Sequence, residues 1–98
     1  MNIEIKKNTE ETTIEIVGRL DTTTAPDLDK IINEDVADTE NLVLDFKKLE
    51  YISSAGLRVL LSAQKKMQKL GTMKLTNVCE DVMEVFEMTG FSDILTIK

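Results

Sequence analysis

Leu49-Glu50-Tyr51-Ile52-Ser53-Ser54-Ala55-Gly56-Leu57-Arg58 is the stretch on which the reading of this chain turns. It follows a nearly continuous apolar run, Leu42-Val43-Leu44-Asp45-Phe46, of the kind expected for a strand covered on both faces. It opens the longest helical pattern in the sequence, Ala55 to Leu70, in which Leu57, Val59, Leu60, Leu61, Ala63, Met67 and Leu70 form a wide apolar stripe. Two adjacent serines, Ser53 and Ser54, therefore stand where a strand hands over to a helix. A helix start carries unpaired N–H groups and the positive end of the peptide dipole. The plain reading of a serine there is an N-cap. The same place also favours a phosphate electrostatically.

Upstream, Ile3 and Ile5 alternate with polar neighbours, and Ile14 and Ile16 do so again after the turn signal Asn8-Thr9-Glu10-Glu11. Alternation on both sides of a turn predicts an antiparallel hairpin, ended by Gly18-Arg19-Leu20-Asp21. Thr24 with Asp27 resembles a capping box, and Pro26 suits a first helical turn. Leu28, Ile31, Ile32 and Val36 then recur at helical spacing, and the pattern fades over residues 37–40. Downstream, Gly71 stops the long helix. Met73, Leu75 and Val78 mark another strand, and residues 81–89 read as a further helix closed by Gly90. Ile94, Leu95 and Ile97 form a short last apolar segment. The predicted fold is a single α/β domain over residues 1–98, with a mixed sheet of four to five strands in the order ββαβαβα.

Ninety-eight residues suffice for one core, since a chain of this size buries roughly 60–70% of its unfolded surface. No apolar stretch approaches the roughly 20 residues of a membrane span. The alternating N-terminus does not read as a signal peptide. Cys79 is the sole cysteine, which excludes an internal disulfide and suits a reducing cytoplasm. With one Cys and no His, neither a zinc site nor any other metal cluster is expected. The net charge of −6 argues against nucleic acid as a partner. Residues 55–75 nonetheless hold Arg58, Lys65, Lys66, Lys69 and Lys74 with no acid, so a local +5 leaves −11 for the rest. Lys65, Lys66 and Lys69 fall in the last turns of the helix, where cations match the dipole.

Tyr51-Ile52-Ser53-Ser54-Ala55-Gly56-Leu57 resembles the phosphorylation loop of the bacterial anti-sigma factor antagonists, the STAS-domain family. That family carries Asp-Ser-Ser/Thr-Gly-Leu, and counting back from Gly56-Leu57 puts its phosphorylated serine on Ser54. Ser53 stands at the family's Asp, and Ala55 at its second Ser/Thr. Gly18-Arg19-Leu20-Asp21 is similar to the family's Gly-x-Leu-Asp segment, residues 42–46 to its central strand, and residues 85–91 to the end of its last helix. The resemblance implies a cytoplasmic switch protein. Unphosphorylated, it binds an anti-sigma factor serine kinase of the GHKL type and frees a sigma factor; phosphorylation of Ser54 weakens the complex, and a phosphatase resets it. It also implies a docking surface of Asp21, Thr22, Ser53, Ser54, Ala55, Gly56 and Arg58. Asp21 reads equally as an ordinary turn carboxylate.

Catalysis is not expected, because the chain has no histidine base and no Gly-x-Ser-x-Gly elbow. A nucleotide-binding module lacks its glycine loop here, and no cofactor is implied, since the four glycines are isolated. A STAS subunit serving as an unphosphorylated scaffold in a signalling or transport assembly is the alternative, favoured by the serine at the family's Asp position.

Overall fold

The two alternating segments meet as an antiparallel hairpin. β1 (Asn2–Lys7) pairs with β2 (Thr12–Leu20), setting Ile3 opposite Ile16 and Ile5 opposite Ile14. Asn8 closes the turn, its Oδ1 accepting from the N–H groups of Glu10 and Glu11 at 2.9 and 2.8 Å. The computed structural model describes residues 2–35 and 38–98, so Val36 and Ala37 in the expected helix tail lie outside the described residues.

β2 does not stop at Gly18. That glycine adopts φ 101°, a conformation costly for any residue with a Cβ, and the strand bends there and runs on to Leu20. The extension exists because it finds a partner that the sequence reading missed. β3 (Asn41–Asp45) pairs in parallel with the first part of β2, from Thr12 to Glu15. After a short jog the chain forms β4 (Leu49–Ile52), which pairs in parallel with Gly18–Leu20. β5 (Thr72–Thr76) lies on the other side of β3, also parallel. The sheet is therefore mixed and five-stranded, with β4 beside the end of β2. Periodicity did not reveal β4, because its four residues are buried only at the ends, Leu49 and Ile52.

Among the described residues three α-helices complete the domain: α1 (Ala25–Lys30), α2 (Ser54–Leu70) and α3 (Glu80–Thr89). α1 passes into a π-helical turn, Ile31–Asp35. The expected capping box at Thr24 is not formed. Its hydroxyl is occupied elsewhere, accepting from the Asp21 N–H and donating to the Arg19 carbonyl, both at 2.8 Å. Lys66 on α2 reaches across to this segment, and its Nζ donates to the Ile32 carbonyl at 3.2 Å. That lysine thus satisfies the carbonyl end of a neighbouring helix in addition to lying late in its own. Gly90 ends α3 in the left-handed conformation, as the sequence predicts. A 3-10 turn, Phe91–Asp93, leads into the last apolar segment, in which Leu95 is buried and Ile97 bridges to Leu75 at the β5 edge.

The core is the joint product of the sheet and the helical stripe. Ile14, Ile16, Leu20, Leu28, Leu42, Leu44, Phe46, Leu60, Met67, Leu75 and Phe86 are all fully buried in one cluster. Among the described residues, no helix is long and apolar enough to cross a membrane.

Candidate functional site

β2 and β4 run parallel and end together, so the loops that follow them are neighbours. The Ser53 N–H donates to the Leu20 carbonyl at 2.9 Å, tying the start of α2 to the end of β2. Loops at the carboxyl ends of parallel strands are where α/β folds place their binding residues.

The two serines have separate tasks. Ser53 is the N-cap, extended at φ −101° and ψ 176°, with its Oγ accepting from the Gly56 N–H at a long 3.4 Å. Serine caps about as well as aspartate, so Ser53 forms a competent helix start at the position where the resembled loop carries Asp. Ser54 is the first residue of α2 and is exposed. Among the described residues its hydroxyl has no hydrogen-bond partner. Helix α2 thus starts one residue earlier than the apolar pattern indicates.

Gly56 faces inward. A Cβ there would come within 2.8 Å of Leu20 Cγ, 2.9 Å of Ile52 Cγ1 and 3.0 Å of the Leu20 carbonyl oxygen. The glycine is what lets α2 settle onto the paired ends of β2 and β4, so its contribution to the surface is indirect. Ala55 is half-buried, and Arg58 is exposed one turn beyond Ser54.

Asp21 is bound into its turn through one carboxylate oxygen and pairs with Arg19 through the other. Its Oδ1 accepts from the Thr23 hydroxyl at 2.8 Å and from the N–H groups of Thr23 and Thr24 at 3.1 and 3.2 Å. Its Oδ2 lies 3.8 Å from Arg19 Nε. Thr22, which follows Asp21, is exposed. The Thr23 hydroxyl bond, joined by those to Thr24 and the backbone, holds the Asp21 carboxyl below the usual carboxylate range. A lowered folded pKa gives stability that is complete above the unfolded value of about 3.9 and is lost as the pH falls through the folded one. Asp21→Asn is therefore expected to lower the melting temperature at pH 7 and to shrink the gap to wild type at pH 3. Paired melts at the two pH values check it, and an undiminished gap at pH 3 would contradict the assignment.

Two side chains not foreseen as site residues complete the surface. The Arg19 guanidinium lies 4.1 Å above the Tyr51 ring, in a cation–π contact, and Tyr51 remains 41% exposed. The pairing of Arg19 with Tyr51 in the β2–β4 ladder brings them together. The signal was present in the sequence only as the position of each two residues before a loop residue, Asp21 and Ser53. The structure thus gathers Arg19, Asp21, Tyr51, Ser53 and Ser54 at one end of the sheet.

Comparison with known proteins agrees with this geometry. The STAS domain family model matches residues 2–98. The anti-sigma-B factor antagonist of Bacillus subtilis is 30% identical over 99 residues, covering 100% of this chain and 91% of its own. Among solved structures, an anti-sigma factor antagonist from Mycobacterium paratuberculosis superposes with a TM-score of 0.88 at 22% identity, covering 98% of this chain and 83% of that one. The Bacillus cell fate determinant SpoIIAA in its phosphorylated form superposes with a TM-score of 0.76 at 18% identity, covering 99% and 91%. With the family model spanning nearly every residue and the strand, loop and helix order in agreement, the chain belongs to the STAS domain family.

Proposed function

We propose that this protein is an anti-sigma factor antagonist that works by partner switching. Unphosphorylated, it binds an anti-sigma factor kinase of the GHKL type through the surface formed by Asp21, Thr22, Ser53, Ser54, Ala55 and Arg58, with the buried Gly56 seating the helix beneath that surface and not touching the partner, and a sigma factor is freed. The kinase then transfers the terminal phosphoryl group of ATP to Ser54. The Ser54 oxygen bonds to the γ-phosphorus, the bond from that phosphorus to the β,γ-bridging oxygen breaks, ADP leaves, and the hydroxyl proton passes to a base on the kinase. A phosphatase restores the hydroxyl.

The observation that carries this reading is the division of labour between the serines. Ser53 supplies the cap, so Ser54 is exposed and uncommitted at the first position of a long helix. The names of the curated relatives point the same way. A phosphoserine adds about −1.5 to −2 charge. At the helix start that charge gains about 0.3–1 kcal/mol from the dipole, so the domain holds its fold while its surface changes.

Incubation with the partner kinase and ATP, followed by peptide mass spectrometry, is expected to place phosphate on Ser54 and not on Ser53. Phosphate on Ser53 would overturn the assignment. A complete lack of phosphate, together with a non-kinase partner, would favour the scaffold role instead.

A further inference from the structure

We propose that Arg58 is the intramolecular receiver of the phosphate on Ser54, so that phosphorylation withdraws a cation from the docking surface as it adds an anion. The proposal rests on the switch reading of Ser54 and names how that site is regulated.

Ser54 and Arg58 are the first and fifth residues of α2. At this spacing two side chains share one helix face, with Cβ atoms about 6 Å apart. Both are exposed, and among the described residues neither side chain makes a hydrogen bond or ion pair. No acid occurs between residues 55 and 75, so no carboxylate on α2 itself competes for the guanidinium. The chain's other arginine, Arg19, is already engaged, stacked on Tyr51 and 3.8 Å from Asp21 Oδ2.

The order of the pair is also the favourable one, with the anion toward the helix N-terminus and the cation one turn after it. A guanidinium offers a planar fork that can grip two phosphate oxygens at once. Before phosphorylation Arg58 projects freely and is available to a partner carboxylate. Afterwards it folds back along its own helix onto the phosphate. The partner then loses a donor as well as meeting a bulky dianion. Because the second ionisation of a phosphoserine lies near pH 6, the same contact holds the phosphate in its dianionic form at neutral pH.

The test uses the whole chain with phosphoserine installed at position 54 by genetic encoding, and follows the second ionisation by phosphorus NMR between pH 4 and 8. Arg58→Gln is expected to raise that pKa by about 0.3 unit or more. Arg58→Lys keeps the charge but not the fork, and is expected to fall between the two. Arg19→Gln is expected to leave the titration where it is in the phosphorylated wild type. An unchanged titration in Arg58→Gln overturns the proposal, and so does a shift confined to Arg19→Gln. Because no kinase is used, this outcome is independent of whether Ser54 is the residue modified in the kinase reaction, which the mass-spectrometric experiment reads separately.

Discussion

Leu60→Asp is expected to abolish the folded state. Leu60 is completely buried, on the face of α2 that packs with Leu20, Leu42, Leu44 and Leu75 in the central cluster. Truncating a buried leucine to alanine costs about 2–5 kcal/mol. An unpaired carboxylate in the same place adds the cost of removing a charge from water, or of protonating it. Domains of this size are stable by about 5–15 kcal/mol, so the combined loss consumes most or all of that margin. Circular dichroism should show no cooperative melt for Leu60→Asp. It should show a transition lowered by about 8–40 °C for Leu60→Ala, from about 2–5 kcal/mol at about 4–8 °C per kcal/mol in a domain of 60–100 residues. A melting temperature near wild type in either variant would mean that the buried face of α2 has been misassigned.

Ser54→Asp is expected to keep the fold and to weaken the complex with the partner kinase by at least about tenfold, or ~1.4 kcal/mol. The fold survives because Ser54 is exposed and the cap belongs to Ser53, while an acid in the first turn of a helix is favoured by the dipole. Binding suffers because a carboxylate now stands where the partner approaches. Ser54→Ala is expected to bind as wild type and to accept no phosphate. Melting curves separate fold from function, and calorimetric titration of the three proteins measures the binding. Aspartate carries one charge where a phosphoserine carries nearly two, so the phosphorylated protein belongs in the same series. Equal affinity for the phosphorylated and unphosphorylated proteins would eliminate the switch. Arg58 gives the comparison a further use. One carboxylate oxygen pair on a short side chain reaches the guanidinium less well than a phosphate does, so the phosphorylated form is expected to bind more weakly than Ser54→Asp.

The active end of this fold can be understood as two layers of constraint. The inner layer is Gly56 against Leu20 and Ile52, with the Ser53 N–H bound to the Leu20 carbonyl. It fixes where α2 starts relative to the sheet. The outer layer is Ser54, Arg58, Asp21, Arg19 and Tyr51, whose side chains face outward. A change in the outer layer, such as a phosphate, therefore alters what a partner meets without requiring the inner layer to move. Asp21 spans the two, its Oδ1 held by the turn and its Oδ2 paired with Arg19 in the outer layer.

The amino-acid sequence alone determined the hairpin, the long buried helix, the parallel central strand and the left-handed stop at Gly90. Each is encoded by neighbours along the chain: alternation for a strand, a stripe every three to four residues for a helix, a glycine at a cap. It also placed Ser54 at a strand-to-helix junction, because that junction lies within one short stretch. Tertiary structure alone decided what could not be expressed as local period. β4 is too short to show alternation and is defined by its pairing with the extended end of β2. Thr24 abandoned its capping box because Asp21 and Arg19 offered its hydroxyl other partners. Gly56 turned inward because the close approach of α2 to Leu20 leaves no room for a side chain. Arg19 met Tyr51 only because two strands, more than thirty residues apart in sequence, came into register. Contacts of that kind depend on how elements dock, and docking is set by the packing of the whole core.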